Sequence, residues 1–300
     1  MKNICLFINT LHSGGAEKQA LLLAKGLKQN YNVFVVLFYG DCIDNKNKFF
    51  VEENDIQVIK LNGSSFKRVS SLYRFLKNEE IHVVLSFLLL NNVVGGVLSL
   101  FIKRTVFIGG IRSSFLPKKK IFLNKVACNF LNKKTIINNF SGVDFLRRYK
   151  FNTSKLEIIP NGIEVPKEEI IRGDENIIRI LSVGRFDVSK DYGTSVKAVS
   201  KLLKVSKEQI EYTIVGYGEL EKDIRLIIEN EKIGDNVKLI INPSNLEEYY
   251  RNASIFLQSS IFEGMSNTLM EAMTFSLPII TTNVGDSKIL VQNDINGYVC

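Results

Sequence analysis

Two glutamates eight positions apart, Glu263 and Glu271, stand in the stretch FEGMSNTLMEAM, with Ser266, Asn267 and Thr268 between them. Glu263 follows the apolar run IFLQSSIF, and an acid in a loop just after such a run is unusual unless it binds something. A helix opening at Ser266 would present N–H groups without intrahelical acceptors, which is an anion-binding end. Glu271 falls inside that helix. A plainer reading stays open, in which Ser266 or Asn267 only caps the helix and Glu271 is a surface residue.

A second constellation lies in VGRFDVSKD, where Gly184, Arg185 and Lys190 follow the apolar run Ile177–Val183. Arginine brings a bidentate fork and lysine a point charge, so two cations near a helix start suit a diphosphate. Gly14–Gly15 and Gly216-Tyr217-Gly218 also follow strand-like runs. Glycine at such a place lets a ligand approach the backbone closely, and it serves a tight turn equally well.

Such residues need elements that bring strand ends to one edge. The chain alternates strand and helix almost throughout. Strands are predicted at 3–9, 33–39, 57–61, 82–88, 105–110, 135–139 and 155–162, with helices at 16–29 and 71–80. The pattern restarts at 177–183, and helices over 192–206, after GYGEL to about 230, and from Met265 alternate with further strands. Short, β-branched, nearly uninterrupted strands predict parallel sheets covered on both faces. The charged stretch VPKEEIIRGDEN separates two domains, 1–165 and 166–300.

Two segments invite a membrane reading. Val83–Ile102 is twenty residues without a charge, long enough to span a bilayer. Asn91, Asn92 and the Gly95–Gly96 pair interrupt it, and a buried strand feeding a helix is predicted instead. In KKIFLNKVACNFLNKK, Phe122, Val126, Phe130 and Leu123, Ala127, Leu131 recur at helical spacing among lysines. That stripe faces either a core or a headgroup region.

Together these segments resemble glycosyltransferase family 4, the large family of retaining transferases with an E-x7-E signature. GGAEKQ, PNGIE, VGRFDVSKD, GYGEL, FEGMSNTLMEAM and TNVGD followed by NGYV occur in that family's order over essentially the whole chain. The resemblance implies a GT-B fold, α/β, with two Rossmann-like domains facing a cleft. It implies that Gly14 and Gly15 approach the donor, helped by Gly184 and Gly216, and that Arg185 and Lys190 neutralise the diphosphate. Glu263 would bind donor-sugar hydroxyls, Glu271 the ribose, and the amides of Ser266, Asn267 and Thr268 the sugar or phosphate. Arg112, in GGIRSS, matches an acceptor-side arginine; Phe87 stands where many members carry a histidine, and His12 lies in the first loop. The acid common near Ile289 is absent. Members usually continue for several helices, so the resemblance implies a second domain that ends early at Cys300.

Composition bounds the rest. With 45% hydrophobic and 23% charged residues, the chain is neither disordered nor fibrous. Residues 1–150 carry 23 Lys/Arg against 9 Asp/Glu, and residues 151–300 carry 16 against 22. A basic half beside an acidic one suggests an anionic surface as partner of the first, and no nucleic-acid motif is present. Four cysteines without metal-like spacing fit a reduced, cytoplasmic setting. A two-domain NAD enzyme is disfavoured because no GxGxxG follows the first strand. The expected function is transfer of a sugar from a nucleotide sugar, UDP-linked by family frequency, to a saccharide or a polyprenyl-diphosphate-linked saccharide at the inner membrane face. No cofactor and no metal are expected. The alternative is a shortened transferase that binds a nucleotide or partner without turnover.

Overall fold

A computed structural model of the chain describes residues 1–12, 14–112, 118–166, 168, 170, 176–243 and 245–300. They form two units, Met1–Gly162 and Ile163–Cys300, where the sequence placed the division at 165 and 166.

The first unit runs β1 (Asn3–Ile8), α1 (Gly15–Leu27), β2 (Asn32–Leu37), α2 (Asn45–Glu53), β3 (Gln57–Lys60), α3 (Ser65–Asn78) and β4 (Val83–Ser86). It continues with α4 (Leu88–Ser99), β5 (Val106–Ile111), α5 (Lys118–Val126), β6 (Lys134–Ile137), α6 (Ser141–Arg148) and β7 (Leu156–Ile158). Its parallel sheet has the order β3-β2-β1-β4-β5-β6-β7. β1 shows why both faces must be covered. Leu6 and Ile8 pack with Ala20, Leu21 and Ala24 of α1, while Cys5 and Phe7 pack with Leu72 and Leu76 of α3 on the opposite face. The chain reverses direction across the sheet between β1 and β4, and ligands of such sheets bind beyond the strand ends at that switch.

The second unit runs β8 (Ile177–Arg185), α7 (Tyr192–Val205), β9 (Gln209–Tyr217), α8 (Glu221–Glu231), β10 (Val237–Ile241) and α9 (Glu247–Asn252). Then come β11 (Ile255–Gln258), α10 (Asn267–Thr274), β12 (Ile279–Thr281), α11 (Ser287–Leu290) and β13 (Gly297–Val299). The order β10-β9-β8-β11-β12-β13 is again parallel, with its switch between β8 and β11. Ile210, Tyr212 and Ile214 of β9 meet Val196 and Val199 of α7 and Ile224 of α8. Val215 and Leu181 enter the other core with Tyr250, Leu269 and Ala272.

Some elements depart from the sequence reading. The uncharged stretch 83–102 is β4 and α4, and no helix among the described residues is long and apolar enough to cross a membrane. The helix expected over 71–80 begins earlier, at Ser65, because the Ser64 hydroxyl accepts from the Lys67 N–H. Two unexpected helices start at polar caps. Asp44 accepts from the Asn47 N–H at 2.7 Å before α2, and Asn139 accepts from the Gly142 N–H at 2.6 Å at the start of α6.

The basic helix also differs. α5 ends at Val126, one π-helical turn follows over Ala127–Leu131, and β6 begins at Lys134. Ile121, Asn124, Ala127 and Cys128 are buried, whereas Phe122, Leu123 and Phe130 are exposed, Phe130 at 76%.

Candidate active site

In the first unit, four of the sequence segments converge at the ends of the strands. Gly14 caps α1 in extended conformation and Gly15 opens the helix. One turn on, Gln19 holds Gly162 with both halves of its amide: Nε2 donates to the Gly162 carbonyl at 2.7 Å and Oε1 accepts from its N–H at 2.8 Å. GGAEKQ and PNG are therefore one structure. The neighbouring Asn161 Oδ1 accepts from Arg112 Nη1 and from Asn138 Nδ2, each at 3.0 Å.

Arg112 lies just past β5, with its guanidinium over the Phe87 ring at 4.4 Å. Phe87 is buried at the mouth of α4, so the ring is a fixed platform. Burial pulls the Arg112 pKa down to about 10, and the nearby Glu17 carboxylate opposes the fall. Behind it, Asn92 of α4 treats β5 as a strand neighbour would. Its Nδ2 donates to the Gly110 carbonyl and its Oδ1 accepts from the Gly110 N–H, both at 2.9 Å. A small cavity of about 30 Å³ lies here, lined by Leu23, Ser86, Phe87, Gly110, Arg112 and Asn138. Phe87 and Arg112 are thus brought together. His12 is exposed, and its carbonyl accepts from Asn47 Nδ2 at 3.0 Å.

In the second unit, β8 and β9 end side by side with Gly184 paired to Gly216. A side chain at Gly216 would overlap the Gly184 carbonyl oxygen, so close backbone approach is what requires glycine there. Past Gly184 the chain forms a short loop with two aspartate caps. Asp187 accepts from the Ser189 N–H at 2.9 Å, and Asp191 accepts from the Thr194 hydroxyl at 2.7 Å while in left-handed conformation (φ 44°). Arg185 pairs with Asp187 at 3.1 Å and is largely exposed.

Lys190 lies across Gly184 and forms an ion pair with Oε1 of Glu263. Both side chains are mostly buried, at 16% and 14% exposure, so neither charge is compensated by water alone. Ser260 donates to the same Glu263 oxygen at 2.8 Å. Ser259 ties its loop to the other one, donating to the Asp191 carbonyl at 2.8 Å, and the Ile261 N–H donates to the Ser189 carbonyl at 2.8 Å.

α10 follows directly. Ser266 accepts from the Leu269 N–H at 3.4 Å and donates to Gln258 at 2.7 Å, so it caps the helix as the plainer reading had it. Asn267 is the first helical residue, and the Thr268 hydroxyl lies 3.2 Å from that of Ser266. Glu271 is buried, not superficial, and the Tyr250 hydroxyl donates to its Oε2 at 2.9 Å.

Sequence reading singled out Lys190, Glu263, Phe87 and Arg112 but passed over the groups that touch them. Asn138 and Asn161 carried a signal, as polar residues just beyond strand ends. Gln19, Ser260 and Tyr250 carried none, because their partners are far along the chain or on another element.

Two parallel Rossmann-like units with this pattern at their strand ends define a GT-B glycosyltransferase fold. The match to Anabaena HepE in complex with UDP-glucose has a TM-score of 0.85 at 17% identity, covering 100% of this chain and 85% of that one. Residues 164–300, nearly all of the second unit, match the family model "Glycosyl transferases group 1". Amylovoran biosynthesis glycosyltransferase AmsK of Erwinia amylovora is 30% identical over 158 residues, which span 50% of this chain and 38% of that protein. A Campylobacter jejuni enzyme matches along the entire chain and 84% of its own length, at 24% identity. It is GalNAc-alpha-(1->4)-GalNAc-alpha-(1->3)-diNAcBac-PP-undecaprenol alpha-1,4-N-acetyl-D-galactosaminyltransferase.

Proposed function

We propose that this chain is a retaining, metal-independent glycosyltransferase of family 4 that moves a hexosyl or N-acetylhexosaminyl group from a UDP-sugar to a polyprenyl-diphosphate-linked saccharide. The observation that carries the reading is the buried Lys190–Glu263 pair beside the Gly184–Gly216 floor. A cation and an acid held together match what a sugar diphosphate needs: one group for the leaving oxygen, one for the sugar hydroxyls.

On donor binding, Lys190 would exchange Glu263 for a diphosphate oxygen, and Glu263 would then accept from sugar hydroxyls. Negative charge that builds on the departing diphosphate would meet Lys190, Arg185 and the amides of Ser266, Asn267 and Thr268. Preset cations and N–H dipoles stabilise such charge without reorganising. In this reading Gly14, Gly15, Gly184 and Gly216 permit close approach, Glu271 takes the ribose, and Phe87, Arg112 and His12 line the acceptor side. The undecaprenol-linked acceptor of the Campylobacter transferase and the UDP-glucose bound by Anabaena HepE support a lipid-linked acceptor and a UDP-sugar donor. Named transferases that match along the chain favour turnover over a nucleotide-binding protein without activity.

The exposed Phe122, Leu123 and Phe130, with Lys120, Lys125 and Lys133 next to them in the sequence, support peripheral attachment to an anionic cytoplasmic membrane face. A panel of UDP-, GDP- and ADP-sugars with undecaprenyl-diphosphate saccharides tests the reading. Transfer with retained anomeric configuration in chelator is expected from a UDP-sugar. Transfer only from another nucleotide, or with inversion, would refute the corresponding part.

A further inference from the structure

Glu271 lies in an unusual place for a carboxylate. It is nine-tenths buried on α10, between Leu269 and Ala272, which are fully buried in an apolar core. A buried carboxylate needs a hydrogen-bond donor, and the donor identified here comes from another helix. Tyr250, on α9, is completely enclosed and directs its hydroxyl at Glu271 Oε2 at 2.9 Å. The same hydroxyl lies 3.4 Å from the Thr268 carbonyl. Its ring stacks on Phe275, with centroids 5.3 Å apart and planes within 9°, and meets Phe256 at 6.0 Å.

Thr268, Glu271 and Phe275 are three and four residues apart and share one face of α10. A single tyrosine therefore touches that face at three heights. The stacked ring has no freedom to swing, so the hydroxyl is held in one place. The Glu271 carboxylate in turn is held at one of its two oxygens.

We propose that Tyr250 is a positioning residue: its hydroxyl fixes the Glu271 carboxylate in the orientation that receives the ribose hydroxyls of the donor nucleotide. The ribose assignment rests on the function proposed above; the fixing of the carboxylate does not. A carboxylate locked in one rotamer binds a ribose without first being ordered, so the hydroxyl acts on donor affinity and not on the chemical step.

Tyr250→Phe removes only the hydroxyl and keeps the ring stack. It is expected to raise the Kd for UDP, and KM for the donor, about tenfold, with kcat at saturating donor unchanged within about twofold, the signature of lost ground-state binding. Phe275→Leu, which removes the stack and keeps the hydroxyl, should lower Tm with a smaller effect on UDP affinity. Combining Tyr250→Phe with Glu271→Gln should weaken UDP binding no further than Glu271→Gln alone. A crystal structure of free Tyr250→Phe should show the Glu271 carboxylate displaced. An undisplaced carboxylate overturns the proposal whatever the protein binds, and so does wild-type UDP affinity in Tyr250→Phe. If the wild-type protein binds no nucleoside diphosphate, the ribose role falls with the proposed function, while a displaced carboxylate still upholds the positioning.

Discussion

Lys190 is paired with Glu263 in a site that buries both side chains. The two residues come from loops after different strands, and hydrogen bonds from Ser259 to the Asp191 carbonyl and from the Ile261 N–H to the Ser189 carbonyl hold those loops to each other. A loop lysine is ordinarily a solvated charge. This one is buried, carries its counter-charge with it, and lies on a glycine floor.

Removing the lysine should cost activity and stability together. Lys190→Met is expected to lower kcat by about 10²–10³-fold, the range for losing one preset group that stabilises transition-state charge. It also strands the Glu263 carboxylate in a buried site. The double variant with Glu263→Gln should therefore have a higher Tm than Lys190→Met alone, which thermal unfolding of the three proteins will measure.

Arg112 should behave in the opposite way for stability. Its pKa is lowered to about 10 mainly by burial, so the folded state disfavours the charge that the unfolded chain carries freely. Below about 10 the group is protonated in both states, and the penalty is constant across neutral pH. Arg112→Met should leave Tm unchanged or raised at pH 7 while transfer to the acceptor falls. A clear loss of Tm would mean that the Asn161 hydrogen bond outweighs the burial.

Acid stability has one identifiable surface contributor. Asp55 titrates below its usual 3.8 because Lys28 donates to its carboxylate and attracts its charge. A lowered folded-state pKa stabilises above the unfolded value and is lost as pH falls through the folded one. Asp55→Asn should therefore lower Tm slightly at pH 6, and the gap from wild type should close as pH drops below 3.8. Denaturation curves from pH 2.5 to 6 measure it.

Two glycines separate backbone need from chance. Gly26→Ala, in α1 with open space around it, should raise stability by about 0.5–1 kcal/mol through helix propensity. Gly216→Ala, against the Gly184 carbonyl and 2.7 Å from the Phe186 ring, should lower it by about 1–3 kcal/mol or more and abolish nucleotide binding. Chemical denaturation of both variants compares them directly.

The exposed aromatic face gives a surface test. Phe122→Ser with Phe130→Ser should reduce binding to vesicles containing anionic lipid while leaving Tm unchanged, since both rings are exposed. Sedimentation with vesicles in rising salt reads it. Unaltered binding would place membrane contact elsewhere.

Much of this was legible beforehand. The strand pattern was readable because parallel strands covered on both faces are continuous apolar runs, as in Cys5 to Ile8. Lys190 and Glu263 stood out as charges directly after such runs. α2 was not readable, for it buries no residue completely and its start depends on one aspartate cap. The 118–131 helix misled for a geometric reason. Phe122, Val126 and Phe130 lie at helical spacing, but so do Ile121, Asn124 and Cys128, and the core takes this second face although an asparagine interrupts it. Tyr250 was invisible as a partner of Glu271, because no local spacing links residues on separate helices.

The Gly184–Gly216 pairing has a consequence for how such a protein could change its sugar preference. The surface under the proposed donor is main chain, whose chemistry is the same in every variant. Altering it means breaking it. Mutational scanning should thus find Gly216 all-or-none, because an added side chain meets the Gly184 carbonyl, with graded effects at Gly184 and at the side chains around the pair. Any evolutionary route to a new donor would run through the rim of the pocket and leave its floor untouched.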